Sequence, residues 1–124
     1  MKKLTAFLIF LIFLCAVSTA YAHPPSEIKI TFDPNTKILT AVIMHSVSNP
    51  LSHYIGKVDI GLNGTEIASL NFSRQENNQS QTVTYTMPDV KKSDVIFVEG
   101  YCNISGKLKK EITVEKESTP DCGK

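Results

Sequence analysis

The fold is predicted most clearly by the stretch YIGKVDIGLNGTEIASLNF, residues 54–72. Apolar residues alternate with polar or small ones in its first half, at Val58, Ile60 and Leu62, and a similar run follows Asn63-Gly64. Alternation with a period of two is typical of a β-strand that buries one face. Asn-Gly is the dipeptide favoured in two-residue type I′ turns. The stretch therefore predicts a β-hairpin.

Runs of the same kind recur on both sides of this hairpin. Further strands are predicted at residues 28–32, 37–44, 81–87, 95–102 and 107–115. Asp33-Pro-Asn-Thr36 is a turn by composition, and the polar residues 74–80 form a loop. No helical periodicity is present. Seven short strands without helices predict an all-β fold, an immunoglobulin-like antiparallel β-sandwich.

The first 22 residues have the pattern of a signal peptide. Lys2 and Lys3 precede an apolar run, residues 4–17, and Ala20-Tyr21-Ala22 supplies a small-x-small cleavage site. The apolar run has about 14 residues, fewer than the ~20 of a membrane-spanning helix, so a retained anchor is the weaker alternative. We expect cleavage after Ala22 and a periplasmic or secreted protein.

The mature chain would have 102 residues, enough for one domain at 23–115 followed by a flexible tail at 116–124. The full chain has thirteen basic and twelve acidic residues, so loss of Lys2 and Lys3 leaves a formal charge of −1. At that charge we expect no nucleic-acid partner and no membrane partner after cleavage.

Histidines and a cysteine stand at the ends of predicted strands. His45 and His53 flank a loop rich in Ser, Asn and Pro, and Cys102 ends a predicted buried strand. Imidazole is the commonest protein metal ligand, so the two histidines suggest a metal site, with two exposed loop histidines as the alternative. Cleavage would make His23 the first residue, where its α-amine and imidazole would chelate a metal unless the terminus is frayed.

Three of these segments resemble the iron-binding domain of the superoxide reductase family, which includes desulfoferrodoxin and neelaredoxin. They are His45, the run His53-Tyr54-Ile55, and Tyr101-Cys102-Asn103 followed by Gly106. In that family such a loop and turn hold a non-haem iron with four imidazoles and one cysteine sulfur, on a seven-stranded sandwich. The resemblance covers most of the mature chain. It implies the metal ligands His23, His45, His53 and Cys102.

The chain also departs from the family pattern. Ile104 and Ser105 stand where the family has its last histidine, and the loop from His45 to His53 is about two residues longer. The Glu-Lys pair that the family places before its first histidine would be removed with the signal peptide. The remaining imidazole and thiolate ligands suit iron, which the resemblance implies, and also copper or zinc.

Two classes of function follow. The first is an exported superoxide reductase-like domain, in which Fe(II) gives one electron to superoxide and an unknown donor returns it. The second is a non-catalytic copper- or zinc-binding domain, or an interaction domain, that has lost the chemistry. In a metal-free variant, Cys102 and Cys122 form a disulfide closing a loop of about 20 residues, worth ~3 kcal/mol.

Overall fold

The computed structural model describes Lys3 and residues 23–115. Apart from Lys3, the predicted signal peptide lies outside the described residues, and so does the predicted tail at 116–124. No helix within the described part of the chain is long and apolar enough to cross a membrane.

Seven β-strands account for most of the described chain. They are β1 (Glu27–Asp33), β2 (Ile38–Met44), β3 (Ile55–Leu62), β4 (Thr65–Asn71), β5 (Ser80–Thr86), β6 (Val95–Cys102) and β7 (Lys107–Thr113). Each predicted strand is confirmed, and each boundary lies within two residues of the prediction.

The strands form two antiparallel sheets, which confirms the predicted all-β fold. The first has the order β1-β2-β5, and the second has the order β4-β3-β6-β7. The central strand β2 buries alternate residues, as expected for a strand with one face on the core. The core between the sheets is formed by fully buried aliphatic side chains that include Ile28, Leu39, Ile43, Val58, Ile60, Ile96 and Val98.

The hairpin predicted at Asn63-Gly64 is present. Both residues have positive φ, 52° and 82°, as a type I′ turn requires, and Leu62 pairs directly with Thr65. Asn63 also joins this turn to the start of β6. Its backbone N–H donates to the Val95 carbonyl at 2.7 Å, and its Oδ1 accepts from the Val95 N–H at 2.9 Å.

The lysines of β7 are exposed. Lys107 and Lys109 share the solvated face of this last strand, whereas Lys110 breaks the alternation and lies on the same face as Leu108 and Ile112. The Lys109 Nζ lies 4.2 Å from the centre of the Phe97 ring. The Lys109 ammonium group therefore makes a cation–π contact with this ring while its side chain stays partly in water.

The strand register brings three chain segments to one end of the sandwich. Ile55 at the start of β3 pairs with Cys102 at the end of β6. In the other sheet, Glu27 at the start of β1 pairs with Met44 at the end of β2. Residues just before β1, just after β2 and just before β3 therefore meet beside Cys102.

Candidate metal centre

The three histidines of the chain converge at this end. His45 directly follows β2, His53 directly precedes the Tyr54–Ile55 entry to β3, and His23 lies four residues before β1. One ring nitrogen from each lies within 4.8 Å of the others. The ring centroids are separated by 4.7 Å for His23 and His45, 5.0 Å for His23 and His53, and 4.8 Å for His45 and His53.

The histidines differ in their exposure. His45 is 0% exposed, His53 is half-buried and His23 is exposed. The alternative of two exposed loop histidines therefore does not hold. The cluster has a buried floor at His45 and opens to solvent at His23, so a small solute can reach it.

Cys102 contacts this cluster through His53. Its Sγ lies 3.1 Å from His53 Nε2, and the residue is 8% exposed. Nitrogen and sulfur ligands bind transition metals at about 2.0–2.1 Å and about 2.3 Å, so two such ligands at right angles would lie about 3.1 Å apart. The separation of these two atoms therefore fits joint coordination. Within residues 23–115 Cys102 forms no disulfide, and Cys122 lies outside the described residues, so the alternative Cys102–Cys122 disulfide stays a prediction.

Asn103 fastens the cysteine turn to the His53 loop. Its Oδ1 accepts from the Tyr54 N–H at 2.8 Å, and its Nδ2 donates to the Ser52 carbonyl at 3.1 Å. Its backbone N–H donates to the Tyr54 carbonyl at 2.9 Å. These bonds hold the backbone on both sides of His53. The sequence placed Asn103 beside Cys102 but gave no sign of this role.

The polar loop at 74–80 covers the His45 side of the cluster. The His45 N–H donates to the Gln79 carbonyl at 2.9 Å, and the Val47 N–H donates to the Asn78 carbonyl at 2.9 Å. Gln75 belongs to this loop, and its buried side chain places Oε1 2.9 Å from His45 Nδ1. Sequence reasoning missed Gln75, because a glutamine in a polar loop gives no signal that its side chain is buried.

The position of His23 is set by Pro24, the next residue, which contacts the turn at Gly106. Gly106 has a positive φ of 93°, and a Cβ built there would lie 2.9 Å from the Pro24 Cα. The His23 carbonyl oxygen lies 3.2 Å from His45 Nε2. The N-terminal segment therefore rests on both the Gly106 turn and the buried histidine.

The electrostatics of the cluster favour neutral imidazole at His53. Burial lowers the pKa of His53, and the charges of His45 and then His23 lower it further. Neutral imidazole is the form that binds a metal. No carboxylate belongs to the cluster within residues 23–115.

The cysteine turn supplies no histidine. Ile104, at the position where the superoxide reductase family has its last histidine or next to it, is 49% exposed, and Ser105 beside it is also exposed. The structure thus brings together His23, His45 and His53 and sets Cys102 against His53. The family's fourth imidazole has no counterpart in this turn.

Comparisons with known proteins give one structural similarity. No protein-family model matches the chain, and no curated protein sequence matches it. Among solved structures, the chain is similar to a superoxide reductase (neelaredoxin) from Ignicoccus hospitalis, with 23% sequence identity and a TM-score of 0.43. The similarity covers 81% of this chain and 86% of the other. The function must therefore follow from the site itself.

Proposed function

We propose that the chain is an exported metal-binding domain whose ion is held by His23, His45, His53 and Cys102, with superoxide reduction as its activity. The convergence of three imidazoles from three chain segments, with ligand nitrogens within 4.8 Å, carries the proposal. The cluster is not a set of unrelated surface histidines, because His45 is fully buried. A nitrogen and sulfur ligand set without carboxylates favours a transition metal over Ca²⁺ or Mg²⁺.

Superoxide reduction is supported by the residue-level resemblance described above. A ferrous ion in this site would supply one electron to superoxide, and two protons would complete hydrogen peroxide. The protein's own contribution is to keep the His53 imidazole neutral, to hold the Cys102 sulfur beside it, and to leave the His23 side open to a small anion. A one-electron donor must then return the electron.

A non-catalytic copper- or zinc-binding role is the second candidate. It is favoured by the cysteine turn, where Ile104 and Ser105 offer no imidazole. Three imidazoles and one thiolate would give four ligands, which is the number found in closed structural zinc sites. Such a closed site would bind its metal without turnover.

Metal binding is tested on the exported chain and on His45→Ala. The exported protein should have the intact mass of a chain whose first residue is His23. It should contain one metal ion per chain and one or two free thiols. H45A should lose the metal because it removes the buried ligand, whereas the β-sheet signal in circular dichroism should remain, since the core is aliphatic. Ser46→Ala, an exposed neighbour, is the matched control and should keep the metal. Unchanged metal content in H45A would contradict the assignment of His45 to the metal site. An intact mass that does not correspond to a chain starting at His23 would contradict the assignment of the exported N-terminus.

Activity separates the two candidates. Iron-loaded protein with an added reductant should consume superoxide and form peroxide without releasing dioxygen, with one reducing equivalent used per superoxide. H45A should not. If superoxide decays at its spontaneous rate in the presence of the iron-loaded protein, the reductase activity is excluded. The non-catalytic metal-binding role then remains.

A further inference from the structure

Gln75 is a buried glutamine, 3% exposed, whose amide orientation is fixed by its neighbours. Its Nε2 donates hydrogen bonds to the carbonyl oxygens of His45 at 2.7 Å and Asn77 at 2.8 Å. Its Oε1 accepts a hydrogen bond from the Ile55 N–H at 3.2 Å. The reversed amide would place oxygen against two carbonyl oxygens and nitrogen against an N–H donor. Three contacts thus agree on one orientation.

The fourth contact of this amide places a proton on His45 Nδ1. Gln75 Oε1 lies 2.9 Å from His45 Nδ1, and this oxygen can only accept. Nδ1 must therefore carry the proton if the contact is a hydrogen bond. In the neutral imidazole, the other nitrogen then keeps its lone pair.

In the neutral ring with its proton on Nδ1, the lone pair of His45 Nε2 faces an atom that cannot donate to it. Within residues 23–115, its polar neighbour is the His23 carbonyl oxygen at 3.2 Å. A buried acceptor that faces a second acceptor loses the hydrogen bond it would make to water. A metal ion bound at Nε2 supplies the missing partner.

We propose that Gln75 is a positioning residue of the metal centre, which holds the His45 proton on Nδ1 and so presents Nε2 to the ion. The inference rests on the proposed metal-binding function and adds a residue to it. Metal-bound histidines usually donate their other ring N–H to a carboxylate, a backbone carbonyl or water. An amide in this place orients the ring without adding negative charge to the site.

The test compares the full mature chain with three variants. Gln75→Met removes the amide at similar length, and Gln75→Glu keeps an acceptor oxygen opposite Nδ1. Gln81→Met is the matched control, because Gln81 is also a buried glutamine beside the same loop. Its amide bonds the Glu76 N–H and the Thr82 carbonyl, and neither bond involves a histidine.

Two readouts are needed, and one of them requires no metal. Nitrogen-15 NMR of the imidazoles in the metal-free protein reports which nitrogen of His45 carries the proton. We expect Nδ1–H in wild type, Q81M and Q75E. In Q75M the proton should move to Nε2, where it can donate to the His23 carbonyl. Competition with a chelator for Zn²⁺ should show affinity about 10- to 100-fold lower in Q75M than in Q81M.

The outcomes that overturn the inference are distinct from those that overturn the function. A wild-type His45 with its proton on Nε2 contradicts it, and so does a Q75M protein with unchanged tautomer and Zn²⁺ affinity. If Q81M changes the His45 tautomer and the Zn²⁺ affinity as Q75M does, Gln75 acts only by supporting the loop at 74–80. If no variant binds metal but Q75M alone shifts the tautomer, the metal-binding function fails while the control by Gln75 stands.

Discussion

At the scale of single residues, the proposed site depends on side chains that hold the candidate ligands as much as on those residues themselves. His53 and Cys102 are 49 residues apart in the chain, yet His53 Nε2 and Cys102 Sγ lie 3.1 Å apart. Asn103 connects the two loops through the backbone groups of Ser52 and Tyr54. Asn103, the residue after the cysteine, therefore helps to hold the Cys102 sulfur beside the His53 imidazole.

Replacing this asparagine should loosen the pair without unfolding the protein. Asn103→Ala removes both side-chain bonds, while the backbone bond to Tyr54 and the core remain. We expect Zn²⁺ affinity to fall by about tenfold, as for other residues that orient ligands, with little change in the thermal midpoint. Ser105→Ala, an exposed residue of the same turn, is the control. Equal Zn²⁺ affinity in both variants would show that Asn103 does not hold the pair.

Sequence alone singled out the candidate ligands but not the residues that contact them. His45, His53 and Cys102 stand out because each is a ligand type at the end of a recognisable strand. Gln75 does not, because its burial depends on how a polar loop folds over the opposite sheet. No local pattern encodes that placement.

At the scale of elements, the N-terminal segment and the β6–β7 turn form one unit. Gly106 lets the turn approach Pro24, and this contact fixes the residue that precedes it, His23. The hairpin turn offers a comparison, since Gly64 also has positive φ but has nothing within 4 Å of a built Cβ.

These two glycines allow strain and contact to be separated. Gly64→Ala should cost about 1 kcal/mol of unfolding free energy in urea, because alanine is strained at positive φ. Gly106→Ala should cost at least as much, because its Cβ would also lie 2.9 Å from the Pro24 Cα. Only G106A should also weaken Zn²⁺ binding, because its methyl group displaces Pro24 and with it His23. Zn²⁺ affinity in G106A equal to that in G64A would show that the N-terminal segment does not contribute a ligand.

The strands themselves were predictable because period-two alternation and turn residues are local signals. Asn63-Gly64 set one register, since a two-residue turn leaves only one pairing for Leu62 and Thr65. The division of the strands between two sheets was not encoded locally. It places β5 beside β2, far apart in sequence, and this pairing brings the loop at 74–80 over His45.

At the scale of the whole molecule, three aspartates link stability to pH. Asp33 and Asp94 have lowered pKa values, chiefly because backbone N–H groups of Asn35 and Lys91 donate to them. Burial would raise the pKa of Asp59, but hydrogen bonds from Ser69 and Lys57 outweigh it and lower the pKa. A carboxyl group with a lowered folded pKa stabilises the fold above its ordinary value, here 3.8, and the benefit is lost as pH falls through the folded pKa.

Asp94 gives the clearest test of this linkage, because it joins the hairpin to the start of β6. Its Oδ2 accepts from the Lys91 N–H at 2.8 Å, and its Oδ1 accepts from Asn63 Nδ2 at 3.1 Å. Asp94→Asn should be less stable than wild type at pH 6 and should lose less stability on acidification below 3.8. Urea unfolding across that range measures the difference. Asp89→Asn removes the same charge from the same loop and is the control. Parallel stability curves for D94N and wild type would refute the linkage.

The lysines on β7 determine how one copy of the molecule can meet another. A sheet edge presents unpaired N–H and C=O groups, to which a strand of a second chain can add. β7 is such an edge, and it has three lysines against one glutamate. A second β7 added there would bring two positively charged rows to about 5 Å, the spacing of neighbouring strands. Their repulsion would oppose growth of the sheet from chain to chain at this edge.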